Sequence, residues 1–198
     1  MRALITGITG QDGYFLSHML LDKGYDVYGI ARRKSDAGLG MMDEYLKQNV
    51  HIFWGDITDY EFVHNVIRYV RPDEIYHLAA QSFVAFSFDN PSYTYDVNIK
   101  GTLNVLGSAL DADRGARIYN AATSEMFGRP EQVPQNEDTP MKPRSPYAIS
   151  KLAAFWTARD YREAYGMFIA NGILFNHESE VRGPEFVTRK ISLGVAEI

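Results

Sequence analysis

Tyr147 and Lys151 stand four positions apart in Tyr147-Ala148-Ile149-Ser150-Lys151, a spacing that puts both side chains on one face of a helix. An ammonium beside a phenol favours the phenolate, which would make Tyr147 a proton acceptor for an alcohol near neutral pH. Upstream, Asn120-Ala121-Ala122-Thr123-Ser124-Glu125 offers a threonine hydroxyl that can hydrogen-bond an oxygen about to become a carbonyl. Glu125, two residues on, reaches the same alcohol. Plain alternatives stand beside these readings: an amphipathic surface pair for Tyr147 and Lys151, and a helix cap for Thr123-Ser124-Glu125.

Near the N-terminus, Gly7-Ile8-Thr9-Gly10-Gln11-Asp12-Gly13 follows an apolar run and precedes a helical pattern. Glycines at such a junction let the backbone approach a pyrophosphate held at the helix N-terminus. The spacing is GxxGxxG rather than GxGxxG, and a tight strand–helix turn would also need glycine. The second apolar run ends in Arg32-Arg33-Lys34-Ser35, where a carboxylate would have favoured NAD. Cations and a hydroxyl there favour the 2′-phosphate of NADP, which arginine can grip bidentately; a solvated charge run is the alternative. Asp56-Ile57, after the third run, could meet an adenine amino group or cap the helix that follows. His177 has no second histidine at metal-ligand spacing, so no metal site is expected. Arg182, Arg189 and Lys190 concentrate positive charge suited to a diphosphate.

Positioning these groups requires alternating strands and helices. Short, mainly apolar runs at Ala3–Thr6, Asp26–Ala31, Val50–Trp54, Glu74–Leu78, Arg117–Ala121 and Phe168–Leu174 read as parallel strands covered on both faces. Helical periodicity fills Tyr14–Lys23, Tyr60–Tyr69 and Tyr95–Leu110, and Ser145-Pro146 reads as N-cap and N1 of a helix reaching Tyr165. The expected fold is α/β, a doubly wound parallel sheet. Arg32–Gly40 and Arg129–Arg144 read as loops, and the chain ends on a further helical pattern.

Composition narrows the function classes. Twenty Lys and Arg against 25 Asp and Glu give a net charge of −5, which argues against wide nucleic-acid binding. Cysteine is absent, which excludes disulfides and thiolate chemistry. No uncharged run approaches the roughly 18–20 residues of a membrane span. A soluble, cytoplasmic protein is expected.

Several blocks together resemble the extended short-chain dehydrogenase/reductase superfamily and, within it, the GDP-mannose 4,6-dehydratases. They are Ala3-Leu4-Ile5-Thr6-Gly7 through Gly13, Pro72-Asp73-Glu74-Ile75-Tyr76, Leu78-Ala79-Ala80-Gln81-Ser82, Thr123-Ser124-Glu125 and Arg144-Ser145-Pro146-Tyr147-Ala148. Asn171-Gly172-Ile173-Leu174-Phe175-Asn176-His177-Glu178-Ser179 and Phe186-Val187-Thr188-Arg189-Lys190-Ile191 separate these dehydratases from epimerases and reductases of the same fold.

The resemblance implies catalysis by Thr123, Glu125, Tyr147 and Lys151, with Glu125 as the base at C5 of the hexose. It implies NADP contacts from Gly7, Gly10, Gln11, Asp12 and Gly13, then from Arg32, Ser35, Asp56 and Ile57. Further cofactor contacts would come from Leu78, Ala80, Gln81, Ser82 and Tyr93, and from His177 and Arg182 beside Tyr147 and Lys151. Ser82, Thr123, Asn176 and Lys190 match nucleotide-sugar positions. The implied organisation is an NADP-binding Rossmann domain over 1–175, the start of a substrate-binding region over 176–198, and a homo-oligomer, dimer or tetramer, seamed by the Ser145–Tyr165 helix. Arg33-Lys34, Asn120-Ala121-Ala122 and Val181 depart from the family's commoner residues. Family members run much longer, so a truncated chain is expected, one that binds NADP, self-associates through exposed apolar faces and turns over far below a complete enzyme. A catalytically inactive NADP-binding relative and an epimerase or reductase are the alternatives.

Overall fold

A computed structural model describes residues 1–32, 42–112, 115–184 and 186–198. Arg33, Lys34, Ser35 and the rest of the expected loop up to Gly40 lie outside the described residues.

β1 (Arg2–Thr6), β2 (Asp26–Ala31), β3 (Val50–Trp54), β4 (Glu74–His77), β5 (Arg117–Thr123) and β6 (Ile169–Leu174) form one sheet in the order β3-β2-β1-β4-β5-β6. Every pairing is parallel. Apolar residues occupy both faces of the strands because alternate residues enter different cores. Leu4 packs with Val63, Val66, Leu106 and Ala158 on one face, whereas Ala3 and Ile5 pack with Leu20 and Leu46 on the other. α3 (Tyr60–Val70), α6 (Gly101–Ala112) and α7 (Pro146–Tyr165) cover the first face, and α1 (Gln11–Asp22) and α2 (Glu44–Asn49) the second.

Local chemistry sets the element ends. Asp59 caps α3 by accepting the Phe62 N–H at 3.1 Å, and Ser145 caps α7 by accepting that of Ala148 at 3.0 Å, with Pro146 at N1 as expected. Gly24, at φ +76°, terminates α1, its N–H reaching Leu21 O at 2.8 Å. α1 begins three residues earlier than its periodicity predicts, so Gln11–Gly13 form its first turn.

The expected Tyr95–Leu110 helix is instead composite. α4 (Val84–Asp89) and α5 (Pro91–Tyr95) precede a π-helical turn, Asp96–Lys100, which feeds α6. The turn is anchored from outside. Asn98 Oδ1 accepts the Gln81 N–H at 2.8 Å, while its Nδ2 donates to Gln81 O at 3.1 Å and to Ser150 Oγ at 2.9 Å. Residues 129–144 contain no helix or strand, as expected, and α8 (Val187–Ala196) ends the chain. Among the described residues no helix is long and apolar enough to cross a membrane, and none of the His, Asp and Glu side chains cluster as a metal site would require.

Candidate active site

The carboxyl ends of β1, β4, β5 and β6 open on one side of the sheet, and the crevice lies where strand order reverses between β1 and β4. A cavity of about 530 Å³ occupies it. Gly7, Gly10, Gln11, Asp12 and Gly13 form one wall, and Thr123, Glu125, Tyr147 and Lys151 another. Leu78, Ala80, Ser82, Asn176, His177, Arg182 and Lys190 complete it among the expected residues. An adjoining cavity of about 470 Å³ is lined by Arg32, Gln81 and Tyr93, and it shares Gly10, Gln11 and Arg182 with the first. Arg32 Nη1 donates to the Tyr93 hydroxyl, which fixes the guanidinium on that wall.

Gly10 at the N-cap of α1 supplies no side-chain hydrogen bond to the first turn. The first turn of α1 thus carries N–H groups without a side-chain cap beside a cavity that Gly7, Gly10 and Gly13 help to line, an arrangement that fits a pyrophosphate. Gly7 adopts φ +74°, and a Cβ there would lie 2.7 Å from the backbone nitrogen of Ala79. Only glycine permits this contact between the β1 turn and the segment after β4.

At the other wall Lys151 is buried, and its Nζ donates to the carbonyl oxygen of Ala121 at 2.9 Å. Burial lowers its pKa to about 8. Burial also pushes the Tyr147 phenol up, against a hydrogen bond from Thr123 that lowers it; Glu125 raises it further and Arg182 lowers it. Desolvation is the larger influence on Tyr147, and the Lys151 ammonium engages a backbone carbonyl. The cap alternative for Thr123 is also realised, since its Oγ1 accepts the Glu125 N–H at 3.3 Å and starts the 3₁₀ turn Ser124–Phe127. One hydroxyl thus caps this turn and faces Tyr147.

The segment after β6 folds back on the Gly7–Gly13 turn. Gln11 Nε2 donates to His177 O at 3.2 Å, and Ser179 Oγ donates to Gln11 Oε1 at 2.8 Å. His177 Nδ1 lies 2.8 Å from Phe175 O and its Nε2 2.7 Å from Asp12 Oδ1. Two acceptors favour a ring that donates from both nitrogens, and the pKa is raised, first by Phe175 O and then by Asp12. The Arg182 guanidinium lies 3.7 Å over the Phe186 ring, and its Nε is 3.3 Å from Glu178 Oε2.

Asp56 and Ile57 line neither cavity. Asp56 Oδ1 accepts both the N–H and the hydroxyl of Thr58 at 2.9 Å, a local turn, and Ile57 is buried, its carbonyl taken by Asn104 Nδ2 at 2.8 Å. Sequence reading missed Phe83, Val84, Phe186 and Val187 as cavity walls. It also missed Asn98, whose brace carries no local signal because its partners lie 17 and 52 positions away.

The family sequence model described as GDP-mannose 4,6 dehydratase matches residues 4–198. The chain belongs to this family. It is 48% identical over 205 residues to the GDP-mannose 4,6-dehydratase of Yersinia enterocolitica, covering 100% of this chain and 55% of that protein. The Homo sapiens GDP-mannose 4,6 dehydratase is likewise 48% identical over 205 residues, covering 99% and 55%. The chain thus spans about half the length of these family members. Among solved structures, dTDP-glucose 4,6-dehydratase DesIV from Streptomyces venezuelae, with NAD bound, superposes at TM-score 0.83 with 27% identity, covering 100% of this chain and 62% of that one. UDP-glucose 4-epimerase from Thermotoga maritima, with UDP-glucose, superposes at 0.78 with 27% identity over 86% and 54%. The family's Rossmann-like, short-chain-dehydrogenase fold is the fold found here.

Proposed function

We propose that this chain carries the NADP-binding and acid–base half of a lyase that dehydrates GDP-mannose to GDP-4-keto-6-deoxy-mannose. The supporting observation is the convergence of the Gly7–Gly13 turn with Thr123, Glu125, Tyr147 and Lys151 on one cavity. The boundary we favour puts the dinucleotide domain in 1–175 and the start of the substrate region in 176–198. Nicotinamide bound there would supply reversible hydride transfer at the hexose.

The chain's own groups account for the remaining proton movements. The uncapped first turn of α1 binds the pyrophosphate, and Arg32, held by Tyr93, faces the 2′-phosphate. Tyr147 takes the proton of the C4 hydroxyl as its phenolate, the form that Thr123 and the Arg182 charge favour against burial, with Thr123 also within reach of that oxygen and Lys151 adding positive charge to the same wall. The resulting 4-ketone acidifies the C5 hydrogen; Glu125 removes that proton and gives it to the departing C6 hydroxyl, which leaves as water. The hydride taken from C4 would return to C6, with the proton held by Tyr147 restored to C5, so the net change is loss of one water from the hexose with no net cofactor reduction. Asn176 and Lys190 also line the cavity and would contact the nucleotide-sugar diphosphate.

As the working unit we favour a cytoplasmic homo-oligomer, a dimer or tetramer, joined along α7, where Ile149 and Trp156 are exposed. Incubating the protein with GDP-mannose and NADP, with mass spectrometry of the sugar nucleotide, tests the activity. A product one water lighter, with carbonyl character and no net cofactor reduction, is expected. Unchanged sugar nucleotide or an isomer of equal mass refutes the dehydratase reading.

A further inference from the structure

An unbroken hydrogen-bond chain runs beneath the cavity, from the phosphate turn to the helix that bears Tyr147. Thr6, the last residue of β1, accepts the Ala79 N–H on Oγ1 at 3.2 Å and lies 2.7 Å from His77 Nδ1. His77 Nε2 lies 3.1 Å from Thr102 Oγ1, and that hydroxyl donates to Asn98 O at 2.7 Å. Asn98 then reaches Ser150 Oγ through its side chain, and Ser150 Oγ donates to Tyr147 O at 2.7 Å.

The proton positions in this chain follow from counting. Thr102 has one hydroxyl proton and gives it to Asn98 O, so His77 Nε2 must be the donor to Thr102. His77 Nδ1 is then an acceptor, and Thr6 donates to it while receiving Ala79. Burial first, and Lys151 second, hold His77 at a pKa of about 3, so this arrangement persists at any working pH. His77, Thr6, Thr102, Asn98 and Ser150 are all buried. A break would leave a buried polar group without a partner.

We propose that His77 is a positioning residue whose two committed ring nitrogens, acting through Thr6 and Thr102, set the spacing between the Gly7–Gly13 turn and the Tyr147 helix. The inference rests on the dinucleotide reading above. A dinucleotide must satisfy both places at once, its diphosphate at α1 and its redox ring beside Thr123 and Tyr147. A fragment bearing only the adenosine phosphates touches the first place alone. Loss of the spacing therefore weakens the whole dinucleotide and spares the fragment.

Thr102 separates this role from packing. Thr102→Val keeps the side-chain volume and removes the hydroxyl, whereas Thr102→Ser keeps the hydroxyl and loses a methyl. Calorimetry should measure NADP and adenosine 2′,5′-bisphosphate against the unaltered chain and both variants. Thr102→Val is expected to bind NADP about tenfold more weakly with fragment affinity within about twofold, and Thr102→Ser to bind both nearly as the unaltered chain does. The pair Thr6→Val and Thr6→Ser reads the other end of the chain and should give the same split; it decides the matter if Thr102→Val fails to fold. Equal loss of NADP and fragment, or a Ser variant as weak as its Val partner, overturns the positioning role. An unaltered chain that binds neither compound refutes the dinucleotide reading itself, a result distinct from binding without the split.

Discussion

Lys151 donates to the carbonyl oxygen of Ala121, 2.9 Å away and thirty positions earlier in the chain. The bond ties α7 to the end of β5 and holds an ammonium in a buried wall. Its pKa is lowered to about 8 from 10.5. Below about 8 the lysine is charged in both folded and unfolded states, and the full cost of burying that charge is present. Between about 8 and 10.5 the folded state sheds the proton first, so stability relative to a neutral side chain rises with pH. The melting temperature of the unaltered chain should thus gain on that of Lys151→Met across this window, by thermal unfolding at stepped pH. A constant gap would remove the buried-ammonium account.

Glu125 and Tyr147 have separable roles in the proposed reaction. Glu125→Gln should abolish the dehydrated product while leaving proton removal at C4, so some cofactor reduction persists by absorbance. Tyr147→Phe should abolish both, with losses of about 10²–10⁴-fold typical of a missing acid–base group. Normal product from Glu125→Gln would transfer the C5 role elsewhere and favour an epimerase-like reaction.

Arg32 stands on the wall of the second cavity with no carboxylate at the end of β2. NADP should bind at least about tenfold more tightly than NAD, roughly 1.4 kcal/mol. Arg32→Ala should erase most of that preference without weakening NAD to the same degree. Calorimetric equality of the two dinucleotides in the unaltered chain would contradict the assignment.

His177 gives the opposite pH signature. Its folded pKa is raised above 6.5 by Phe175 O and Asp12. The stabilisation is complete below about 6.5 and is lost as pH climbs through the raised value. His177→Gln should therefore lower the melting temperature most near pH 6 and little near pH 9. The difference is small, because His177 and Asp12 are both partly exposed and screened. A gap that widens with pH would rule out the charged pair.

Much of this fold is legible along the chain. β2 and β3 fall where their apolar runs predict, and α7 starts at Ser145-Pro146 and stops before Gly166 because cap chemistry is local. The convergence of Thr123, Glu125, Tyr147 and Lys151 is legible too, since strand ends in such sheets open on one side. What sequence spacing conceals is collective. The raised Tyr147 phenol depends on everything that buries it, and the π turn at Asp96–Lys100 depends on Gln81 and Ser150 gripping Asn98. α4 and α5 are too short for periodicity to show. Asp56 Oδ1 turns back on Thr58, and it is Asp59, three residues on, that caps α3.

The return of Ser179 and His177 to Gln11 and Asp12 spans separations of 165 to 168 residues. The Gly7–Gly13 turn is thus translated long before the segment that secures it. While β1 to β5 have left the ribosome and β6 has not, Gln11 and Asp12 have no partners from this segment. Closing so long a loop costs entropy that grows only as the logarithm of its length, and one docking event brings in all these contacts together. A nascent chain should therefore acquire tight dinucleotide binding abruptly, when the stretch through Ser179 emerges, rather than by degrees as synthesis proceeds.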